Sequence, residues 1–336
     1  MYALVDCNNF YVSCERVFQP QYNNKPVVVL SNNDGCVISR SSEAKALGIP
    51  MGIPEFKIKE FIQQQNIKVF SSNYVLYGDL SQRVMKILEN FTPNVEMYSI
   101  DEAFLNFDGQ QTADYHSLGL NIQQRISKWL SIPTGIGFAP TKALAKLANR
   151  IAKKFPERTN GVYVIDTEEK RIKALKWTKI ADVWGIGYRL TKKMQRKNIL
   201  TAYDFTLPHN EPFIKKEMGV VGIRLKYELE GKSILEINEP KTKRTIAITR
   251  SFEHDINDYN ELKEFRACKS CERDDKLSVL NGSRSKVKLR KFLLSDESKK
   301  LQIYLLFGMI LFAIIRHGVM DVRQERFYNH FEELSK

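Results

Sequence analysis

The sequence predicts a multidomain α/β (α+β) protein, in which a mixed sheet with helices is followed by a mainly helical region and a further, smaller segment. Three observations carry this reading. Short period-2 apolar runs alternate with 3.6-period helical patterns through residue 165. A Lys-rich stretch, 168–232, keeps only the helical period. A linker rich in Lys and Pro, 239–244, then leads to another strand-like run. At 336 residues the chain has room for two or three domains of the usual ~100–200 residues. The boundaries fall at 1–165, 166–238 and 239–336.

Each element follows from its pattern. Residues 1–7 alternate, with Leu4 and Asp6 on one side and Ala3, Val5 and Cys7 on the other, a short strand that runs into an acidic residue. Phe10, Cys14, Val17 and Phe18 recur at helical spacing until Pro20. Val27 to Leu30 and Gly35 to Ile38 flank Asn32-Asn33-Asp34-Gly35, whose residues tolerate the positive φ of a hairpin turn. A short helix is expected from Ser42 as N-cap to Gly48 as C-cap. Leu80, Val84, Ile87, Leu88 and Phe91 share one helical face, closed by Pro93. Residues 95–100 and 103–107 form a second hairpin with Asp101 and Glu102 at its tip. Helices at 117–130 and 140–155 bracket a strand at 132–138, and 161–165 reads as a last strand. Gly185-Ile186-Gly187 separates two helical patterns, and 245–253 is strand-like. Residues 266–300 are basic and turn-like. The apolar run 303–315 is shorter than the ~18–20 residues needed to span a bilayer, so a buried segment is expected and no membrane partner.

Fifty-two Lys and Arg against 39 Asp and Glu give a net charge of +13, which favours a polyanionic partner, nucleic acid or anionic lipid, over a cationic one. A generally basic enzyme has the same balance. With 43% hydrophobic and 27% charged residues, disordered and collagen-like classes are excluded. Five scattered cysteines make no disulfide framework, and the N-terminus lacks signal-peptide features, so a cytoplasmic protein is expected. Cys268 and Cys271 have metal-site spacing without a second pair and read as incidental thiols.

The chemistry concentrates in carboxylates at strand ends. Asp6, Asp101 and Glu102 could converge on one sheet edge, where hard divalent cations take oxygen ligands and keep waters and phosphates as the rest of their shell. Two such ions ~3.5–4 Å apart serve in-line displacement at phosphorus. A solvated acidic turn is the plainer alternative. Cations stand nearby in sequence: Lys45 follows a helix N-terminus at Ser42, and Lys142, Lys146, Arg150 and Lys153 line the face opposite Leu144, Leu147, Ala148, Ile151 and Phe155. That line reads either as a phosphate-binding stripe or as a solvated face.

Three segments are recognisable: Asp6-Cys7-Asn8-Asn9-Phe10-Tyr11-Val12-Ser13-Cys14-Glu15, then Ser31 to Ile38 with Glu43-Ala44-Lys45, then Tyr98-Ser99-Ile100-Asp101-Glu102-Ala103-Phe104. They resemble the Y-family DNA polymerases, specifically the UmuC branch, over about residues 1–265. The resemblance implies a palm with a mixed sheet and small inserted fingers (about 26–75), a helical thumb with a helix-hairpin-helix, and an incomplete α+β little finger. It implies error-prone, DNA-templated translesion synthesis in the DNA-damage (SOS) response. Two Mg²⁺ ions would be held by Asp6, Asp101 and Glu102, the catalytic set, with the Cys7 carbonyl as a further ligand. Tyr11 would be the steric gate against ribonucleotides. Lys45 and Lys153 would meet the triphosphate, with Ser42 standing where many relatives carry tyrosine, and Cys36 and Ile38 would roof the nascent base pair. Val183-Trp184-Gly185-Ile186-Gly187 resembles a helix-hairpin-helix, in which Gly185 and Gly187 would grip DNA phosphates together with Lys142 and Lys146 of the palm. Lys192, Lys193, Arg196 and Lys197 would add non-specific charge. Primer–template DNA and deoxynucleoside triphosphates, a UmuD-like subunit and a recombinase filament are the implied partners.

The resemblance ends soon after Arg250-Ser251-Phe252. A truncated or frame-shifted C-terminus is expected there, with recruitment of a sliding clamp in doubt. The competing readings are a defective, non-catalytic DNA-binding remnant and another two-metal phosphoryl-transfer enzyme such as a nucleotide cyclase.

Overall fold

The six-residue strand β1 (Tyr2–Cys7) is apolar on both faces, which requires helical cover on both sides of any sheet that contains it. Tyr2 and Leu4 enter one core, and Ala3, Val5 and Cys7 the other, as strand alternation dictates. The computed structural model describes residues 1–110, 114–237, 246–248 and 277–279. The chain divides into two units, Met1–Thr242 and Lys243–Lys336.

In the first unit β1 is followed by α1 (Phe10–Phe18), β2 (Val27–Leu30), β3 (Val37–Arg40), α2 (Ser42–Ala46), α3 (Lys59–Gln64) and β4 (Lys68–Phe70). Next come α4 (Tyr74–Leu88), β5 (Val95–Met97), β6 (Glu102–Asn106), α5 (Tyr115–Leu130), β7 (Thr134–Ala139), α6 (Lys142–Lys154), α7 (Pro156–Thr159) and β8 (Val162–Val164). The helices α8 (Glu168–Trp177), α9 (Tyr188–Gln195), α10 (Ala202–Thr206) and α11 (Glu211–Leu229) complete it. The five-stranded sheet has the order β5-β6-β1-β7-β8. Its neighbours are antiparallel except β7 and β8, so the sheet is mixed as expected.

Helices α1, α4 and α5 cover one face through Phe10, Val12, Tyr77, Leu80, Ile122 and Ile126. The other face carries α6 through Leu144, Leu147, Ala148 and Ile151, and the later helices join the same core through Leu175, Phe205, Ile214 and Leu225. Helix α6 lies directly on β7. A Cβ on Gly137 would stand 2.0 Å from the Asn149 backbone nitrogen, so only glycine permits the approach. The Asn149 amide fixes it by donating to the carbonyls of Leu4 (3.3 Å) and Gly135 (2.7 Å).

A smaller sheet, ordered β3-β2-β4, packs by its two faces on different cores. Val27 and Val29 join the core under the large sheet, whereas Val28 and Leu30 meet Val37, Ala44, Ile49, Ile62 and Ile67. The short strand β4 pairs parallel with β2 and has no period-2 signal of its own. Behind α6, Glu228 is fully buried at 0% exposure. Its carboxylate accepts from the backbone amides of Ala143 (3.2 Å), Ile234 (2.7 Å) and Leu235 (2.8 Å), which offsets the desolvation of the charge.

Several expectations are corrected. The turn between β2 and β3 is a 3-10 turn, Asn32–Asp34, and the left-handed residue is Asp34 (φ 52°), with Gly35 right-handed (φ −74°). Ser41, not Ser42, caps α2: its backbone is extended and its hydroxyl accepts from the Ala44 amide at 3.1 Å. Helix α4 starts at Tyr74, well before Leu80, because Asn73 accepts from the Leu76 amide. Glu102 is the first residue of β6 and no longer part of the turn. In the second unit β9 (Ile246–Ile248) pairs parallel with β10 (Leu277–Val279), so the segment expected to be wholly turn-like contains a strand. The rest of 245–253, the thiols Cys268 and Cys271, and the apolar run 303–315 lie outside the described residues. Among the described residues no helix is long and apolar enough to cross a membrane.

The contact of α6 on β7 yields a test. Gly137→Ala should destabilise the protein by about 3 kcal/mol or more, since backbone and not a flexible side chain must give way. Urea denaturation of the purified variant measures it.

Candidate active site

Sheet register assembles the acidic edge. Asp6 stands opposite Glu102 across β1 and β6, and opposite Gly135 across β1 and β7. The Cys7 amide donates to the Asp101 carbonyl at 2.9 Å, tying the third acid to the end of β1. Ser99 shapes the approach to β6: its hydroxyl donates to the Asp101 carboxylate at 2.6 Å and accepts from the Glu102 amide at 3.0 Å. Asp6 and Glu102 are thereby brought together, while the Asp101 side chain turns to Ser99. Among the described residues no group of three or more acids, histidines or cysteines stands in metal-ligating arrangement.

Lysines occupy the two facing carboxylates. Lys153 pairs with Asp6, and Lys146 with Glu102 at 2.8 Å. Lys153 reaches Asp6 by passing over Gly135, where a Cβ would meet the lysine stem at 2.9 Å. Burial pushes the Asp6 carboxyl up to about 7, against the pull of Lys153, with the neighbouring Glu102 adding to the rise. The hard oxygen donors of this edge are of the kind that suits a divalent cation.

Lys45 donates to the Asn9 side chain, whose amide in turn donates to the Ser42 hydroxyl at 3.4 Å. Burial lowers the Lys45 ammonium, as do the Arg40 and Lys153 charges, with Asp6 acting in the opposite sense. Lys45, Lys153 and Asp6 therefore share one electrostatic neighbourhood. Tyr11 stacks on Tyr77 at 4.5 Å and meets Tyr74 edge-on at 6.1 Å. Burial raises its phenol, and Tyr74 and then Asp101 add to the shift. Cys7 is buried, with its thiol raised well above the ordinary range chiefly by that burial. Cys36 and Ile38 are half-buried on the small sheet. Cys36 donates its amide to the Ser31 hydroxyl at 3.0 Å, and Ile38 packs against the core that also holds Tyr11.

Gly185 and Gly187 lie in an exposed loop between the 3-10 turn Ile180–Asp182 and α9. Gly185 is left-handed (φ 83°), Gly187 is the N-cap of α9, and neither position has a neighbour within Cβ contact. The backbone there is open to a close approach.

One site residue is corrected outright. Lys142 is 2% exposed, paired with Glu96 and donating to the Glu236 carbonyl, so it does not lie on a solvent-facing stripe. The helical wheel gave its angle, but Glu96 on β5 and the segment after α11 cover that angle. Lys146 likewise points at Glu102. The sequence motifs include Asn9, Tyr98 and Trp184 without assigning them a role, and Gly135 and Gly137 are singled out by none of them. The alternation Gly135-Ile136-Gly137 inside a strand was the available signal, since glycines there mark close backbone approach.

Residues 5–150 match the model of the impB/mucB/samB family. Protein ImpB of Salmonella typhimurium is 42% identical over 268 residues, which are 79% of this chain and 63% of that protein. Protein UmuC of Salmonella typhimurium is 44% identical over 266 residues, again 79% of this chain and 63% of the relative. The chain thus spans less than two thirds of the length of these curated relatives. The fold is shared with an insertion ternary complex of Dbh DNA polymerase, at 26% identity and a TM-score of 0.61, over 69% of this chain and 67% of that one.

The burial of Lys142 separates two roles by experiment. Lys142→Met should lower stability by about 3 kcal/mol, because the Glu96 carboxylate loses a buried ionic partner. The salt dependence of DNA binding, followed by fluorescence anisotropy, should not change, since no phosphate contact is removed.

Proposed function

We propose that this chain is a DNA-directed DNA polymerase that performs error-prone translesion synthesis in the DNA-damage (SOS) response. The observation that carries the reading is the convergence of Asp6 and Glu102 across β1 and β6, with Asp101 tied to the same strand end and Lys45 and Lys153 beside them. The names of the relatives and the polymerase complex that shares the fold support it.

In this reading Asp6, Asp101 and Glu102, with the Cys7 carbonyl, hold divalent metal, taken to be two Mg²⁺ ions. Bound there, the metal supplies positive charge to the attacking primer 3′-oxygen and to the leaving pyrophosphate. Lys153 and Lys45 exchange their present partners for the triphosphate and balance its charge during displacement. The Tyr11 ring, braced by Tyr77, lies under the sugar and excludes a 2′-hydroxyl. Cys36 and Ile38 cover the nascent pair with small apolar groups, and Ser42 lies within reach of the phosphates through Asn9. The Gly185–Gly187 loop and the first amides of α9 take a DNA phosphate without reading sequence. Residues 1–165 then form the palm with fingers inserted at about 26–75, 166–238 the thumb, and 239–336 the start of the little finger. Primer–template DNA and deoxynucleoside triphosphates are the substrates. A UmuD-like subunit and a recombinase filament are the proposed partners, and clamp recruitment forms no part of the proposal.

Primer extension with Mg²⁺ on undamaged and abasic templates tests the reading. The purified chain should extend both, and Asp101→Ala should lose activity by about a thousandfold or more while keeping its fold by circular dichroism. Binding of the same DNA without extension would instead identify a non-catalytic remnant. Tyr11→Ala should raise ribonucleotide over deoxynucleotide incorporation about tenfold or more, read from single-nucleotide insertion kinetics.

A further inference from the structure

We propose that Trp184 and Tyr98 are positioning residues that hold the Lys146 ammonium in an aromatic corner beside Glu102, so that the glycine loop before α9 sets the charge facing a carboxylate on the central sheet. The inference rests on the polymerase reading for its consequence, but its geometry stands apart from that reading. The Trp184 indole N–H donates to the Tyr98 hydroxyl at 3.0 Å. The two rings meet edge-on, 5.7 Å apart at 85°, and Phe104 of β6 backs both. Into the corner between them comes the Lys146 ammonium, 4.2 Å from the Tyr98 ring centre and 5.5 Å from that of Trp184. The same ammonium pairs with the Glu102 carboxylate at 2.8 Å.

The two ends of this chain of contacts belong to different parts of the first unit. Trp184 immediately precedes the left-handed Gly185, whereas the Tyr98 amide donates to the Glu102 carbonyl at 3.0 Å. A displacement of the glycine loop therefore moves the indole, then the phenol, then the ammonium, and so the charge facing Glu102. The aromatic corner also gives Lys146 a second place to rest. When a divalent cation takes Glu102, the ammonium stays on the electron-rich ring faces instead of competing for the carboxylate. Without the corner, Lys146 holds Glu102 more tightly and the metal has to displace it. Both rings act on the Glu102 carboxylate through the Lys146 ammonium that they share with it.

The test is a Mg²⁺ titration of the full chain, read in two ways. The first is tryptophan emission with no DNA or nucleotide present. Emission of the unaltered protein should change with Mg²⁺, the change should survive Trp129→Phe, and it should vanish in Trp184→Phe and in Lys146→Met. The second is the Mg²⁺ concentration at half-maximal primer extension. It should rise about fivefold in Tyr98→Phe and further in Trp184→Ala, with the Kd for primer–template held within about twofold. Tyr98→Phe keeps the ring, and Tyr98 is 42% exposed, so this variant should fold even if Trp184→Ala does not. An emission response that persists in Trp184→Phe, no response in the unaltered protein, or an unmoved Mg²⁺ requirement in Tyr98→Phe each overturns the proposal. A response that depends on Trp184 in a chain that extends no primer overturns the polymerase reading and leaves the aromatic corner standing.

Discussion

Gly137 on β7 lets α6 lie against the sheet closer than any side chain would allow, and much of the site's geometry follows from that contact. Gly137 sets the depth of the helix, and Asn149 locks its rotation by spanning the carbonyls of β1 and β7. With depth and rotation fixed, the lysines of α6 have fixed destinations. Lys153 crosses Gly135 to Asp6, Lys146 reaches Glu102, and Lys142 passes to Glu96. A helix held only by apolar side chains could roll by several degrees. This one is held by backbone contact, which is less compressible.

The acidic edge is correspondingly a place of charge in tension. Asp6 is buried enough to raise its carboxyl to about 7 even with an ammonium beside it. Such an arrangement has no structural advantage over an apolar pair, because desolvation of both partners absorbs most of the attraction. Its presence at the end of the central strand fits the proposed site, in which Lys153 leaves Asp6 for the triphosphate.

What could be read from sequence divides along the range of the interactions. The alternation of β1 placed Leu4 and Val5 in opposite cores correctly, and the Asp6 and Glu102 carboxylates do meet, because strand period and register are local or nearly so. The burial of Lys142 was not legible: the helical wheel knows nothing of Glu96 or of the chain after α11. Strand β4 has too few residues to show a period and exists because β2 offers it a free edge. The choice of Ser41 over Ser42 as cap turned on one residue's backbone conformation, which two adjacent serines cannot reveal. Tyr98 and Trp184 stand far apart in sequence and are joined only by tertiary contact.

Glu228 grips Ile234 and Leu235 by their backbone amides and not by their side chains. The anchorage is therefore indifferent to what those positions encode, proline excepted, since proline alone lacks the N–H. At these two positions the path leaving the helical region can be rewritten, letter by letter, while its mooring to α6 stays where it is.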